Sequence, residues 1–247
     1  MKLRKNSAKT YTAYAEIYDT YKGDRSENIQ RIDALIKKHH PAATTLLDLA
    51  CGTGAIAAGL VGKYLLTGVD NSPAMLRVAK EKLPDVQFVQ ADMTDFSLQQ
   101  KFDIVCCLHN SVNHLLTFED WEKMFANVAR HLKKQGIFIF DVNPVERMNH
   151  LAQLGLHMTQ VGEDYVATQV HSDDSRPERF QWDVKVFQRQ KRNNYTLTHE
   201  AIPVSAFPDV ELEEALHRSF DIAESFVVDT AEKFDDIGRA YYVCVKK

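Results

Sequence analysis

The sequence predicts an α/β fold built on a mainly parallel sheet, with a small antiparallel insertion in its second half. Three observations carry that expectation. Short apolar runs alternate with amphipathic segments through the first half of the chain, which is the rhythm of βαβ units. The first of those runs ends in a Gly-rich turn that opens a helix, where such sheets let the backbone approach a ligand closely. After Asp141 the rhythm changes: Asn143-Pro144 breaks the strand, and alternation of period two takes over.

Taken in order, two helical patterns, Tyr11 to Tyr21 and Glu27 to His40, precede the sheet as an N-terminal collar placed to cover a cleft. Strands are predicted at Thr45 to Ala50, Leu65 to Asp70, Val86 to Ala91, Phe102 to Leu108 and Gly136 to Val142. Helices are predicted between them at Ala55 to Lys63, Ser72 to Leu83 and Phe118 to Lys133, the second opening with the cap-and-proline pair Ser72-Pro73. A short helix, Val145 to Leu154, begins the insertion. In it Phe180, Trp182, Val184 and Val186 share one face while Gln181, Asp183 and Lys185 share the other, and Asn193-Asn194 reads as a hairpin turn into Tyr195 to Pro203. A helix near Pro208 to Arg218 and strands at Phe220 to Val228 and Arg239 to Val245 close the chain. The expected division is therefore 1–144 with 206–247 as the ligand-binding domain and 145–205 as an inserted lid.

The chain has 247 residues, with 30 basic and 34 acidic side chains and a formal net charge of -4. That balance removes the broad positive field that nucleic-acid backbones demand, so no nucleic-acid partner is expected. No apolar stretch approaches the roughly 20 residues a membrane helix needs, and no apolar core follows the basic N-terminus, so neither a membrane partner nor export is expected. Cys51, Cys106, Cys107 and Cys244 form no C-x-x-C pair or disulfide framework, which suits a cytoplasmic location. The ten histidines show no metal-ligand spacing, and no metal site is expected.

The most informative stretch is Leu46-Leu47-Asp48-Leu49-Ala50-Cys51-Gly52-Thr53-Gly54-Ala55. Gly52, Gly54 and Ala57 satisfy a loose G-x-G-x-x-A, so a nicotinamide-dependent oxidoreductase is one reading. The acids argue otherwise. A diphosphate wants bare N–H groups and a helix N-terminus, whereas Asp48 stands four residues before the first glycine and suits a ligand with an ammonium group. Asp70, at the end of the second strand, suits both ribose hydroxyls; Asp92, at the end of the third, suits an adenine amino group. Acids at three successive strand ends describe a nucleoside with a cationic tail, and S-adenosylmethionine is such a molecule.

These segments resemble the class I S-adenosylmethionine-dependent methyltransferases. Leu47 to Gly54 is similar to their glycine loop, Gly68 to Leu76 to their second-strand segment, and Gln90-Ala91-Asp92-Met93 to their adenine segment. The resemblance continues through Phe102 to Val105 and Gly136 to Asp141. It implies a Rossmann-like, seven-stranded, mostly parallel sheet flanked by helices, its last strand antiparallel, with an antiparallel β lid after the fifth strand. It implies methyl transfer from S-adenosylmethionine to a small-molecule acceptor by in-line displacement at the sulfonium methyl, with S-adenosylhomocysteine as product. Cofactor-binding residues are then expected at Asp48, Ala50, Gly52, Gly54, Asp70, Asn71, Met75, Asp92, Met93 and Leu108. Ala50 departs from the glycine many relatives carry and argues for a slightly tighter loop. Leu108 to Leu115 resembles the loop after the fourth strand in small-molecule N-methyltransferases, including amino-sugar enzymes; Tyr14 to Asp19 resembles their N-terminal helix, which adds Tyr14 and Tyr18 to the cofactor set. Tyr18, His109 and His114 are the candidates for assisting proton loss from an amine, although a neutral amine needs no base.

Plainer readings stand beside these. The glycines also make a tight turn, Asp70 also suits turn chemistry before a helix, Asp92 also suits a cap, and Tyr14 and Tyr18 also suit core contacts one helical turn apart. A non-catalytic module that binds S-adenosylmethionine is the remaining alternative. The motifs specify neither the acceptor nor an oligomeric state.

Overall fold

The computed structural model describes residues 15, 17–191, 194–228 and 237–247. Two helices come first, α1 (Tyr18–Lys22) and α2 (Ser26–His39). The alternating region follows as β1 (Thr45–Leu49), α3 (Ala55–Leu60), β2 (Leu65–Asp70), α4 (Pro73–Lys82), β3 (Gln87–Gln90), β4 (Phe102–Cys107), a 3-10 turn at Ser111–His114, α5 (Phe118–His131) and β5 (Leu132–Val142). The rest is α6 (Val145–Leu154), β6 (His157–Val161), β7 (Asp164–Ser172), β8 (Arg179–Arg189), β9 (Tyr195–Ser205), α7 (Asp209–His217), β10 (Phe220–Val228) and β11 (Arg239–Lys246).

Seven strands form one sheet in the order β10-β11-β5-β4-β1-β2-β3. β1 to β5 run parallel, and β11 enters antiparallel between β5 and β10. The Rossmann-like expectation, reversed strand included, is met. Strand β5 shows why this sheet is buried on both faces. Along Ile137-Phe138-Ile139-Phe140, the phenylalanines join Trp121 and Phe125 of α5 in an aromatic layer, while the isoleucines join Ile32 and Ile36 of α2 and Ile56 and Leu60 of α3 in an aliphatic one. Ser72 caps α4, accepting from the Met75 N–H, with Pro73 at the first helical position.

The insertion is a separate sheet of order β6-β7-β8-β9. Phe180, Val184 and Val186 of β8 pack with Val166 and Val170 of β7 onto Met148 and Leu151 of α6, and Trp182, Tyr18 and Tyr21 lie against the same cluster. One side chain ties both ends of the insertion to the main sheet. Asn113, fully buried in the 3-10 turn, donates to the carbonyls of Asn143 (3.1 Å) and Ser205 (2.7 Å) and accepts from the Asn143 N–H (2.9 Å). Ser205 Oγ adds a bond of 2.6 Å to the Leu115 carbonyl.

Several boundaries differ from expectation for local reasons. The helix expected to reach Lys63 stops at Leu60, where Gly62 turns the chain at φ 82°. The helix expected to reach Lys133 stops at His131, because Leu132 already pairs with Phe102 and begins β5. Residues 50 and 108 fall just beyond the strands expected to include them. Strands β6 and β7 were not resolved individually from the sequence. β6 is an edge strand with mostly exposed side chains and so carries no apolar alternation. Residues 11–14, Tyr14 among them, and residue 16 of the first expected helix, together with Asn193 of the expected hairpin turn, lie outside the described residues.

Candidate functional site

A cleft opens over the C-terminal ends of β1 to β4, where open α/β sheets place their ligands. It encloses about 990 Å3 of space continuous with solvent. Its walls include Ala50, Gly52, Asp70, Asn71, Met75, Asp92 and Met93; Tyr18, His109, Ser111, His114, Leu115 and Pro203 line the rest.

The loop after β1 is built on alternate left-handed residues, with φ 59° at Ala50, 55° at Gly52 and 72° at Gly54. A Cβ on Gly52 would meet nothing within 4 Å, so the backbone there faces open space. A Cβ on Gly54 would instead lie 3.3 Å from Ala79 and 3.4 Å from Phe88, so that glycine serves the turn and the packing of α4 and β3. Ala50 takes a conformation costing an L-residue roughly 1 to 2 kcal/mol. The substitution for glycine is thus a strained residue on the cleft wall rather than merely a tighter loop.

Asp70 joins two loops. Its Oδ2 accepts from the Gly52 N–H and its Oδ1 from the Ser72 N–H, each at 2.8 Å. Both oxygens keep further lone pairs for hydroxyl donors. Burial raises its pKa, opposed by the bonds from Ser72, Gly52 and Asn71. Asp92 does two things at once: it lines the cleft, and its Oδ1 caps the next turn by accepting from the N–H (2.9 Å) and hydroxyl (2.7 Å) of Thr94. Asp48 lies beneath the loop rather than on the wall. It is 3% exposed, and among the described residues its Oδ2 has no hydrogen-bond partner. Burial, reinforced by the nearby Asp70 charge, pushes its pKa up to about 7. Asp48 beneath the loop and Asp70 on the wall therefore repel each other when ionised, an arrangement a cationic ligand relieves and an anionic one aggravates.

The opposite wall holds the proposed bases in neutral form. His109 and Asn110 are consecutive left-handed residues. They are held by buried Asp141, whose Oδ2 accepts from the Asn110 N–H (3.2 Å) and pairs with Arg239 (2.9 Å). His109 Nε2 lies 2.6 Å from Arg25 Nη1 and 3.2 Å from Asn28 Nδ2. Since a guanidinium only donates, that nitrogen accepts, and its lone pair is not available to a substrate proton. Burial, then Arg25, push the His109 pKa well down. His114 is held down to about 4, chiefly by burial. Burial raises Tyr18 despite the neighbouring Arg25.

Of the expected site residues, Tyr18, Ala50, Gly52, Asp70, Asn71, Met75, Asp92, Met93, His109 and His114 come together on the cleft. Asp48, Gly54 and Leu108 do not; Leu108 is 5% exposed in the aliphatic core. Val69, Ser72, Ala91, Ser111, Leu115, Leu116 and Pro203 join the wall without having been expected. Val69 and Ala91 immediately precede the strand-end acids, which is a usable signal; Pro203 reaches the cleft only through the fold of the insertion.

Known proteins share parts of this sequence and the fold. Residues 46–136 match a family model described as a methyltransferase domain. The chain is 31% identical over 132 residues to a dTDP-3-amino-3,6-dideoxy-alpha-D-glucopyranose N,N-dimethyltransferase of Streptomyces fradiae, covering 51% of this chain and 52% of that protein. It is 34% identical over 133 residues to a dTDP-3-amino-3,4,6-trideoxy-alpha-D-glucopyranose N,N-dimethyltransferase of Streptomyces venezuelae, covering 52% and 56%. The chain thus spans about half the length of these curated relatives. Among solved structures, an S-adenosylmethionine-dependent methyltransferase from Clostridium acetobutylicum superposes with a TM-score of 0.81 at 25% identity, covering 96% of this chain and 98% of that one. Motifs, sheet order and these likenesses agree: residues 46–136 are similar to methyltransferase domains, and the chain shares the fold of S-adenosylmethionine-dependent methyltransferases.

Proposed function

We propose that the protein transfers the methyl group of S-adenosylmethionine to a small-molecule acceptor, with an amine as the favoured nucleophile. The observation that carries this reading is the trio of acids at the cleft, Asp70 and Asp92 on the wall with Asp48 beneath the loop. It suits a nucleoside with a cationic tail and opposes the diphosphate of a nicotinamide cofactor. The amine preference draws on the amino-sugar N,N-dimethyltransferases among the relatives.

In this proposal Asp70 accepts from the ribose hydroxyls, Asp92 and Met93 border the adenine, Met75 packs beside it, and the Gly52 backbone gives close approach. Asp48 contributes its charge from beneath the loop. When bound, S-adenosylmethionine supplies a methyl carbon already activated by its sulfonium. The protein's own contribution is then alignment and exclusion of water, by Tyr18, Leu115, Leu116 and Pro203 around the cleft. The neutral, weakly basic imidazoles suit an acceptor that arrives uncharged, with His114 the group placed to take the departing proton. Residues 145–205 act as the substrate lid on a methyltransferase domain of 1–144 and 206–247.

No helix among the described residues is long and apolar enough to cross a membrane. The four cysteines are free and buried, which supports a reducing, cytoplasmic location, and the net charge of -4 supports a metabolite rather than a nucleic acid as partner. The test is a methyl-transfer assay with labelled S-adenosylmethionine over pooled metabolite amines, alcohols, thiols and carboxylates. Label transfer to an amine pool is expected. Cofactor binding with no transfer to any pool would leave a binding module.

A further inference from the structure

We propose that residues 18–28 form a strap stapled across the cofactor cleft, with Asp19 holding one end and Arg25 the other, and that breaking the staples gates ligand passage. The proposal rests on the cofactor reading above.

The first staple lies at the glycine loop. Asp19 Oδ1 accepts from Thr53 Oγ1 at 2.5 Å, and Asp19 Oδ2 meets Lys82 Nζ at 2.5 Å. Lys82 also donates to the Thr53 carbonyl at 2.9 Å, closing a three-residue knot between α1, the loop after β1 and the end of α4. The second staple lies at the loop after β4. Arg25 and Asn28 both donate to His109 Nε2, at 2.6 and 3.2 Å, and the Arg25 guanidinium lies 5.8 Å from the centre of the Tyr18 ring. Tyr18, next to Asp19, lines the same cleft as Gly52 and Asp70. The strap therefore runs over the ends of β1 and β4, the two adjacent strands that frame the cleft.

The composition of the strap suits a part that opens. α1 has five residues, none with its surface more than partly covered, and Gly23 ends it at φ 66°. A helix that short has little stability of its own, so its position depends on the staples and on the contacts of Tyr18 and Tyr21 with the lid. The first staple is partly exposed, with 38% of the Asp19 side chain and 31% of Lys82 accessible. Such a contact holds without locking. Because the strap lies over the cleft, a bound ligand leaves and a free one enters through the same opening.

That symmetry gives the proposal a kinetic signature. Removing a staple raises the open population in both free and bound protein, so association and dissociation accelerate together and the dissociation constant moves little. A residue that merely contacted the ligand would raise dissociation alone.

The experiment measures association and dissociation of S-adenosylhomocysteine by stopped flow for wild type, Asp19→Ala and Lys82→Met. Hydrogen exchange at residues 18–28 is followed in ligand-free protein. Loss of a charge-assisted bond at a half-exposed site predicts both rates rising about fivefold to tenfold in Asp19→Ala, with the dissociation constant within about threefold. Lys82→Met shifts both in the same direction, and exchange of the strap accelerates in each variant. Unchanged rates in a folded Asp19→Ala, or weaker binding through dissociation alone, would overturn the proposal. If wild type binds no S-adenosylhomocysteine, the cofactor reading falls, and unchanged strap exchange in the ligand-free variants removes the staple separately.

Discussion

Asp48 makes the cofactor reading testable by pH alone. Its carboxyl is pushed up to about 7 in the folded protein, against about 3.9 in an unfolded chain. The sign follows from which state holds the proton. Between about pH 4 and 7 the folded protein keeps it and the unfolded chain has lost it, so stability falls as pH rises through that window. A shift of about 3 units at about 1.4 kcal/mol each puts the full loss near 4 kcal/mol above pH 7, and Asp48 is buried enough for little screening. A cationic ligand over the loop stabilises the ionised carboxylate and therefore binds the ionised form. The ionised fraction of a group titrating at about 7 rises about eightfold from pH 6 to pH 7.5, so affinity for S-adenosylhomocysteine should rise by about that factor. Calorimetry at both pH values, in buffers of different ionisation enthalpy, reads the affinity and the proton released together. Asp48→Asn should flatten the profile and abolish the release. A flat wild-type profile, or an equal slope in Asp48→Asn, would refute the reasoning.

Other expectations concern single side chains. Asp70→Asn should weaken S-adenosylhomocysteine by at least about tenfold. It should also lower the melting temperature, since Asp70 accepts from the Gly52 and Ser72 N–H groups; an unchanged dissociation constant in a folded variant returns it to a turn residue. Asn113→Ala leaves buried backbone groups at Asn143 and Ser205 without partners, and about 3 kcal/mol of stability should go with them, read by denaturant melts. Methyl transfer should fall in that variant further than S-adenosylhomocysteine affinity does. His114→Gln should lower kcat/KM by less than about tenfold, because a side chain titrating near 4 is a weak proton acceptor; a loss of 10²-fold or more would make it a general base. Ala50→Gly should be neutral or stabilise by up to about 1 kcal/mol, as relief of the left-handed strain offsets the entropy of glycine; clear destabilisation contradicts the strain.

Much of the sheet was legible because its strands carry unbroken apolar runs and its helices carry caps, as at Ser72-Pro73. The acids at positions 48, 70 and 92 were legible for a different reason: each ends or nearly ends a strand, and strand ends in this fold converge on one cleft. What stayed hidden depends on contacts between distant segments. No local pattern shows that Asp48 lies beneath the loop and off the wall, or that Gly54 packs on Ala79 and Phe88. His109 resembled a base by its loop, yet its basic nitrogen is engaged by Arg25, which lies on the chain segment between the first two helices. Pro203 enters the cleft because Asn113 draws the end of the insertion against the 3-10 turn. Such pairings across the fold leave no periodicity in either partner.

The central claim is that this cleft takes a nucleoside with a cationic tail. Calorimetric titration of the full chain with S-adenosylmethionine, S-adenosylhomocysteine and NAD under one set of conditions tests it most directly. The account predicts one-to-one binding of the first two, tightening from pH 6 to pH 7.5, and no measurable heat with NAD. Tighter binding of NAD than of S-adenosylhomocysteine would contradict it.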